Sequence, residues 1–310
     1  MSQDEPNDFA TALHAHARDV EALLRELLSS RPRHGEIARP ERLLAAMRHG
    51  VLGGGKRLRP FLVIESAALF DADREAARRV AAALECVHCY SLIHDDLPAM
   101  DDDDVRRGRP TVHKAFDEAT AILAGDSLLT LAFDIIADPA PDSDAGRLPV
   151  DRRLELVTAL ARAAGAGGMA GGQLLDLEAA RSRPDEAGII TLQAMKTGAL
   201  IRFACEAGAM VAGAARPDRE RLAEFGSAVG LAFQLADDLL DRTAHAAAMG
   251  KATGKDRAAG KATLVDLHGA EWTRRQLSGL VGQAHDLLSP YGGRGSMLRS
   301  AAAFVAQRRS

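Results

Sequence analysis

Long stretches of this chain repeat their apolar residues at steps of three and four, over residues 9–30, 73–94, 117–137, 151–164, 185–213, 217–241 and 270–288. That spacing lays an apolar stripe along one side of an α-helix, and the Ala, Leu, Arg and Glu that fill these stretches are good helix formers. Strand signals are nearly absent. Aromatic residues make up 4% of the chain, β-branched runs are short, and no Asn-Gly turn separates two alternating segments. The pattern predicts an all-α fold. At 310 residues, 47% of them hydrophobic, the chain can bury a large core, which excludes a disordered chain, collagen and a coiled-coil fibre.

Gly, Pro and polar residues break the helical pattern at GVLGGGKRLRP (50–60), DPAPDSDAGRLP (138–149), RSRPD (181–185) and GKATGKDRAAGKAT (250–263). None of these has the length or bias of an interdomain linker, so one domain spanning 1–310 is expected. The charge of −4, from 43 acids against 39 bases, gives no global basic field and argues against nucleic acid as a partner. The opening MSQDEPNDFA carries acids where a signal peptide carries Lys or Arg, and no eighteen-residue run is uninterruptedly apolar. A cytoplasmic protein without integral membrane contact is expected. Cys86, Cys89 and Cys205 cannot close a set of disulfides, and the single CxxC lacks the second pair of a structural zinc site. Packed core thiols in a reducing compartment are the simpler reading.

An apolar helix runs into an Asp-Asp cluster twice, at SLIHDDLPAMD (91–101) and AFQLADDLLD (232–241). Asp237 and Asp241 lie about 40° apart around an α-helix, so both carboxylates leave one face. With Asp238 between them they repel unless a cation intervenes, and carboxylate, water and phosphate oxygens are the set magnesium prefers. A solvated acidic helix end is the alternative, although acids at a C-terminal turn oppose the helix dipole. In the first cluster Asp95 and Asp96 are followed by Asp101, with Asp102, Asp103 and Asp104 directly behind. An ideal helix sets Asp95 and Asp101 about 120° apart, so a shared metal requires the interruption that Pro98 supplies. A solvated acidic surface is the alternative here too.

Cations match these acids. Lys56, Arg57 and Arg59 follow a triple glycine, Arg106, Arg107 and Arg109 follow the first aspartates, and Lys196 opens a Lys-Thr pair. Lys251, Lys255 and Lys261 lie in the Gly-rich stretch after the second cluster. Arg and Lys beside glycines suit diphosphate recognition, and the GxxxxGK[ST] spacing of a nucleotide P-loop is missing. The combination points to two diphosphate-bearing substrates, with magnesium joining one of them to the acids. His88 lies seven residues before Asp95, about 20° away on the same helical face, where a plain core histidine is the alternative.

Taken in order, GGGKRLRP (53–60), SLIHDDLPAMDDDDVRRGRPT (91–111), GGMAGGQLLDLE (167–178), Lys196-Thr197, FQLADDLLD (233–241) and GKATGKDRAAGKAT (250–263) resemble the short-chain trans-prenyl diphosphate synthases. Within that family the chain looks most like the bacterial farnesyl-forming branch, and the likeness is strong over residues 40–270. It implies a helical bundle around a central cavity, a homodimer, and two aspartate motifs facing each other across the cavity mouth. The implied activity is a magnesium-dependent trans-prenyltransferase that joins isopentenyl diphosphate to dimethylallyl and then geranyl diphosphate, giving farnesyl diphosphate.

By the same resemblance Asp95 and Asp101 hold two magnesium ions with Asp96 in support, and Asp237 holds a third with Asp238 and Asp241 in support. Arg106, Lys196, Thr197, Gln234, Lys251 and Lys261 take the allylic diphosphate. Lys56, Arg59, His88 and Arg107 take isopentenyl diphosphate. The catalytic set comprises Asp95, Asp96, Asp101, Arg106, Lys196, Asp237 and Lys251, while Tyr90 and Ser91 set product length as the floor of the cavity. Periodicity alone turns Tyr90 about 140° from Asp95, so an ordinary core aromatic is its other reading. RTAHAAAMGK (242–251) departs from the family pattern, which leaves the loop to Lys251 open to a different closure. The other activities considered are geranyl or geranylgeranyl diphosphate synthesis, a non-catalytic partner subunit and a class I terpene cyclase. Complete aspartate motifs speak against the subunit, and the basic residues Lys56, Arg59 and Arg107 against the cyclase.

Overall fold

A computed structural model of the chain describes residues 5–138, 146–249 and 263–307. The chain divides into two compact units, one running up to Thr158 together with Met210–Gly213, the other taking in Ala159–Ala209 and the chain from Ala214 onward.

The first unit contains α1 (Glu5–Leu27), α2 (Glu41–Val51), α3 (Leu58–Ala68), α4 (Arg74–Asp95), a two-residue antiparallel ladder of β1 (Val105–Arg106) with β2 (Arg109–Pro110), α5 (Val112–Ala115), α6 (Glu118–Ala137) and the start of α7 (Val150–Ala164). Its centre is α4. Asp73 caps that helix by accepting from the Ala76 amide at 2.8 Å, and Val80, Ala81, Ala82, Ala83, Leu84 and Val87 are all buried. A helix apolar on every side must be enclosed, and α4 packs against α1, α3 and α6. Burial of Val80, Leu84 and Val87 contributes about 1.5–3 kcal/mol each.

Against α4 lies α6, which has the length and composition of a membrane-crossing helix, with a mean hydropathy of 1.6. Only 39% of that apolar window is buried within the chain, and Ile122 and Leu123 are 45% and 55% exposed.

The second unit holds the end of α7, α8 (Met169–Ser182), α9 (Glu186–Gln193), a π-turn (Ala194–Gly198), α10 (Ala199–Ala212) up to Ala209, α11 (Arg216–Met249), α12 (Leu264–His268), α13 (Ala270–Leu287), a 3-10 stretch (Ser289–Gly295) and α14 (Ser296–Ala306). Its longest helix, α11, packs on α13, α14 and the π-turn, while α8 packs on the π-turn as well. Two glycines permit those approaches. A Cβ at Gly172 would stand 2.6 Å from Lys196 Cα, and one at Gly230 would stand 2.9 Å from Gly198 Cα.

The all-α expectation holds. The structure departs from the sequence pattern in the short β1–β2 ladder, in the π-turn that divides the stretch 185–213, and in α2, α3, α5, α8, α12 and α14, which lie outside the periodic stretches. Cys86, Cys89 and Cys205 are buried and unbridged, as expected.

Candidate active site

The first aspartate motif begins where α4 ends at Asp95. Pro98 cannot donate to a continuing helix, and the chain instead doubles back, so that the Asp101 amide donates to the Asp95 carbonyl at 2.9 Å and the Asp102 amide to Leu97 at 3.2 Å. The interruption expected between Asp95 and Asp101 is therefore present. Asp101 is exposed, Asp95 is half-buried, and Asp96 is buried at 3% exposure. The Asp96 carboxylate accepts from Arg106 Nε at 2.7 Å, and Arg106 Nη2 lies 2.6 Å from the same oxygen as an ion pair. Burial pushes the Asp96 carboxyl up and Arg106 pulls it back part of the way, leaving it above the usual carboxylate range. Arg106 is held on β1, and the turn to β2 is made by Arg107 and Gly108 with φ of 52° and 73°.

Behind this turn Asp102, Asp104 and buried His113 bring one ligand atom each to within 4.8 Å of one another, and Lys114 pairs with Asp104 at 2.8 Å.

The basic loop 53–57 adjoins the same hairpin. Gly54 and Gly55 have φ of 89° and 124°, and Arg107 Nη1 donates to the Gly54 carbonyl. The φ of 124° at Gly55 favours glycine, and a Cβ there would also lie 2.7 Å from the Arg107 guanidinium and push it aside. Lys56 is exposed, while Arg59 is half-buried with Nη1 3.4 Å from Nε2 of His88. Burial, and then Arg59 and Arg107, hold the His88 imidazole well below its ordinary range, so it is neutral near pH 7. The structure thus brings Arg59, His88 and Arg107 to one loop together with Lys56. Two residues further along α4, the Tyr90 ring meets His94 edge-on at 5.8 Å, and Ser91 Oγ turns back to donate to the His88 carbonyl at 2.9 Å. Burial, with Asp95 adding to it, raises the Tyr90 hydroxyl above its ordinary range.

The second motif lies on α11. Asp237 and Asp238 are half-buried and Asp241 is exposed. Both oxygens of Asp238 are engaged by amides: Oδ2 accepts from Gln193 Nε2 at 2.8 Å, and Oδ1 from Gln234 Nε2 at 2.9 Å. Burial pushes the Asp238 carboxyl up to about 6, opposed by the two amides and assisted by Asp237 and Asp241. The π-turn presents the Lys-Thr pair here. Thr197 donates to Gln234 Oε1 at 3.1 Å, and Lys196 Nζ pairs with Asp176 on α8 at 2.7 Å. Asp176 and Gln193 were not singled out from sequence, although Asp176 lies inside the quoted GGMAGGQLLDLE and Gln193 stands one turn before Lys196 and Thr197. Lys251 and Lys261 lie outside the described residues.

The donors in both motifs are carboxylate oxygens, some half-buried and some exposed, and the thiols are all buried elsewhere. That set fits a hard oxygen-seeking cation such as magnesium and does not fit a thiophilic metal. Asp96 and Asp238, the second aspartate of each pair, are both held by protein donors, which suits a supporting part for them.

The polyprenyl synthetase family profile matches residues 40–286, and the chain belongs to that family. Farnesyl diphosphate synthase of Escherichia coli is 44% identical over 251 residues, covering 79% of this chain and 81% of the relative. Geranylgeranyl pyrophosphate synthase 9 of Arabidopsis thaliana is 39% identical, covering 81% of this chain and 70% of its own. Among solved structures, an FPP/GFPP synthase from Zymomonas mobilis superimposes with a TM-score of 0.83 at 45% identity, covering 96% of this chain and 99% of its own.

Proposed function

We propose that the chain is a trans-prenyltransferase that condenses isopentenyl diphosphate with an allylic diphosphate, first dimethylallyl and then geranyl, to yield farnesyl diphosphate. The observation that carries this reading is the cluster of Arg59, His88 and Arg107 beside Lys56, in a family chain whose aspartate motifs are complete. An enzyme acting on one allylic diphosphate needs the acids but not a second anion site.

In the reaction the allylic C1–O bond breaks and its electron pair leaves with diphosphate. The double bond of isopentenyl diphosphate then attacks C1, and a proton lost from C2 of the isopentenyl unit passes to the released diphosphate. Magnesium, when bound, supplies charge neutralisation for the departing diphosphate. Asp95 and Asp101 are the residues that would hold two ions with Asp96 in support, and Asp237 a third with Asp238 and Asp241 in support. Arg106, held by Asp96, and Lys196, held by Asp176, are each proposed to stabilise the negative charge that develops on the departing diphosphate. Thr197 and Gln234 bind allylic diphosphate oxygens beside them, and Lys251 and Lys261 are proposed to join this set. Lys56, Arg59 and Arg107 orient the isopentenyl diphosphate, and neutral His88 contributes a hydrogen bond without further charge.

Tyr90, with Ser91 beside it, is proposed to limit product length, which the names of the relatives leave open between farnesyl and longer products. The continuous family match across residues 40–286 supports one catalytic domain. The apolar face of α6 left open at Ile122 and Leu123 supports a homodimer that covers it.

The test is incubation of full-length protein with magnesium, isopentenyl diphosphate and dimethylallyl diphosphate, followed by chromatography of dephosphorylated products by carbon number. A fifteen-carbon product is expected, and Tyr90→Ala should shift it to twenty carbons or more. A ten- or twenty-carbon product from the unaltered protein would overturn the farnesyl assignment while keeping the chemistry.

A further inference from the structure

In the basic loop the middle cation behaves unlike its neighbours. Lys56 is exposed and Arg59 half-buried, whereas Arg57 is 3% exposed and turned into the first unit's interior. Its backbone adopts φ 50°, a left-handed conformation that is strained for a residue with a Cβ. That inward turn persists because the guanidinium is gripped from several directions. Nη1 donates to Glu85 on α4, and Nη2 donates to Glu21 at 3.0 Å and to the Val51 carbonyl at the end of α2. Glu85 is itself 2% exposed, and the Cys89 thiol lies 3.8 Å from its Oε1. Burial pulls the Arg57 guanidinium down, but the charge of Glu85 together with the hydrogen bonds to Glu85 and Glu21 holds the group above its ordinary range.

Stability alone gives a poor reason for this arrangement, because a buried ion pair is often no more stabilising than apolar side chains of the same volume. Placement gives a better one. Glu85 stands one helical turn before His88 on α4, and Arg57 stands one residue after Lys56 and two before Arg59. Arg107 holds the same loop from its other side at Gly54.

We propose that Arg57 is a positioning residue for isopentenyl diphosphate, its buried pair with Glu85 pegging loop 53–57 to α4 and so fixing Lys56 and Arg59 relative to His88. The inference rests on the assignment of those three residues to isopentenyl diphosphate.

Steady-state kinetics of full-length Arg57→Lys, Glu85→Gln and the paired Arg57→Met/Glu85→Leu test it, each with urea unfolding alongside. Arg57→Lys keeps the charge without the fork, and Glu85→Gln keeps the shape without the charge. Both should raise the KM for isopentenyl diphosphate about tenfold while the KM for geranyl diphosphate moves by less than about twofold. The paired variant should unfold at a urea concentration close to the unaltered protein yet keep the raised isopentenyl KM. Equal rises in both KM values, or normal KM values in the paired variant, would overturn the proposal. If Arg57 variants fail to fold, Glu85→Gln alone decides by the same comparison. Lys56→Ala separates the two layers: an unchanged isopentenyl KM there would remove the site assignment itself, whereas a raised one beside unchanged Arg57→Lys kinetics would remove only the positioning role.

Discussion

The two Asp-Asp pairs keep their second carboxylate in place by different physics. Asp96, at the end of α4, faces a cation: Arg106 meets it with a charge-assisted hydrogen bond from Nε and an ion-pair contact from Nη2. Asp238, in the middle of α11, faces two neutral amides, Gln193 and Gln234, with Asp237 and Asp241 as acidic neighbours. The amides satisfy its oxygens but bring no positive charge. The second aspartate is thus held by a charged donor in the first motif and by neutral donors in the second.

Breaking the first motif should have the largest effect. Asp95→Ala combined with Asp101→Ala is expected to lower kcat by about a thousandfold, measured as turnover across a magnesium titration. Unchanged turnover and magnesium dependence would remove these residues from the metal site. On the other side of the comparison, Gly172→Ala forces a Cβ against the backbone of Lys196. It should destabilise the protein by about 2 kcal/mol in urea unfolding and raise the allylic KM, because the π-turn that presents Lys196 and Thr197 must shift. Wild-type stability in that variant would mean that α8 and the π-turn can separate at no cost.

The contrast between the second aspartates is sharpened by a single exchange at each. Asp96→Asn removes the charge opposite Arg106 and should cost about 2 kcal/mol, whereas Asp238→Asn retains an acceptor for one amide and should cost about 1 kcal/mol. The reverse order would contradict the account of how the two are held. The smallest effect concerns His88, whose imidazole is depressed by burial and by the adjacent arginines. A depressed histidine adds stability above the unfolded-state value near 6.5 and loses it as pH falls below that value. The unaltered protein should therefore lose stability relative to His88→Gln between about pH 7 and pH 5.5, read from urea midpoints. A constant difference across that range would show that His88 protonates equally in both states.

How far the sequence could be read depended on range. Helices with a clear apolar stripe were legible because a period of three to four residues is written locally, as over 73–94 and 270–288. The same holds for the aspartate motifs and the break at Pro98, where residue type and spacing carry the chemistry. α3 was hidden because its first residue, Leu58, sits inside a glycine-rich break and the helix starts only once Arg57 turns inward. The π-turn was hidden because it depends on the close approach of Gly172 and Gly230 from other helices, a tertiary cause with no local signature. Asp176 and Gln193 escaped for a related reason, since their parts are defined by partners twenty and forty-five positions away.

The most direct measurement of the two-substrate claim is diphosphate release from geranyl diphosphate and magnesium, followed with and without isopentenyl diphosphate. The expected result is release only when both substrates are present, with one fifteen-carbon product formed for each diphosphate set free. Sustained release from geranyl diphosphate alone, with cyclic hydrocarbons as products, would contradict it.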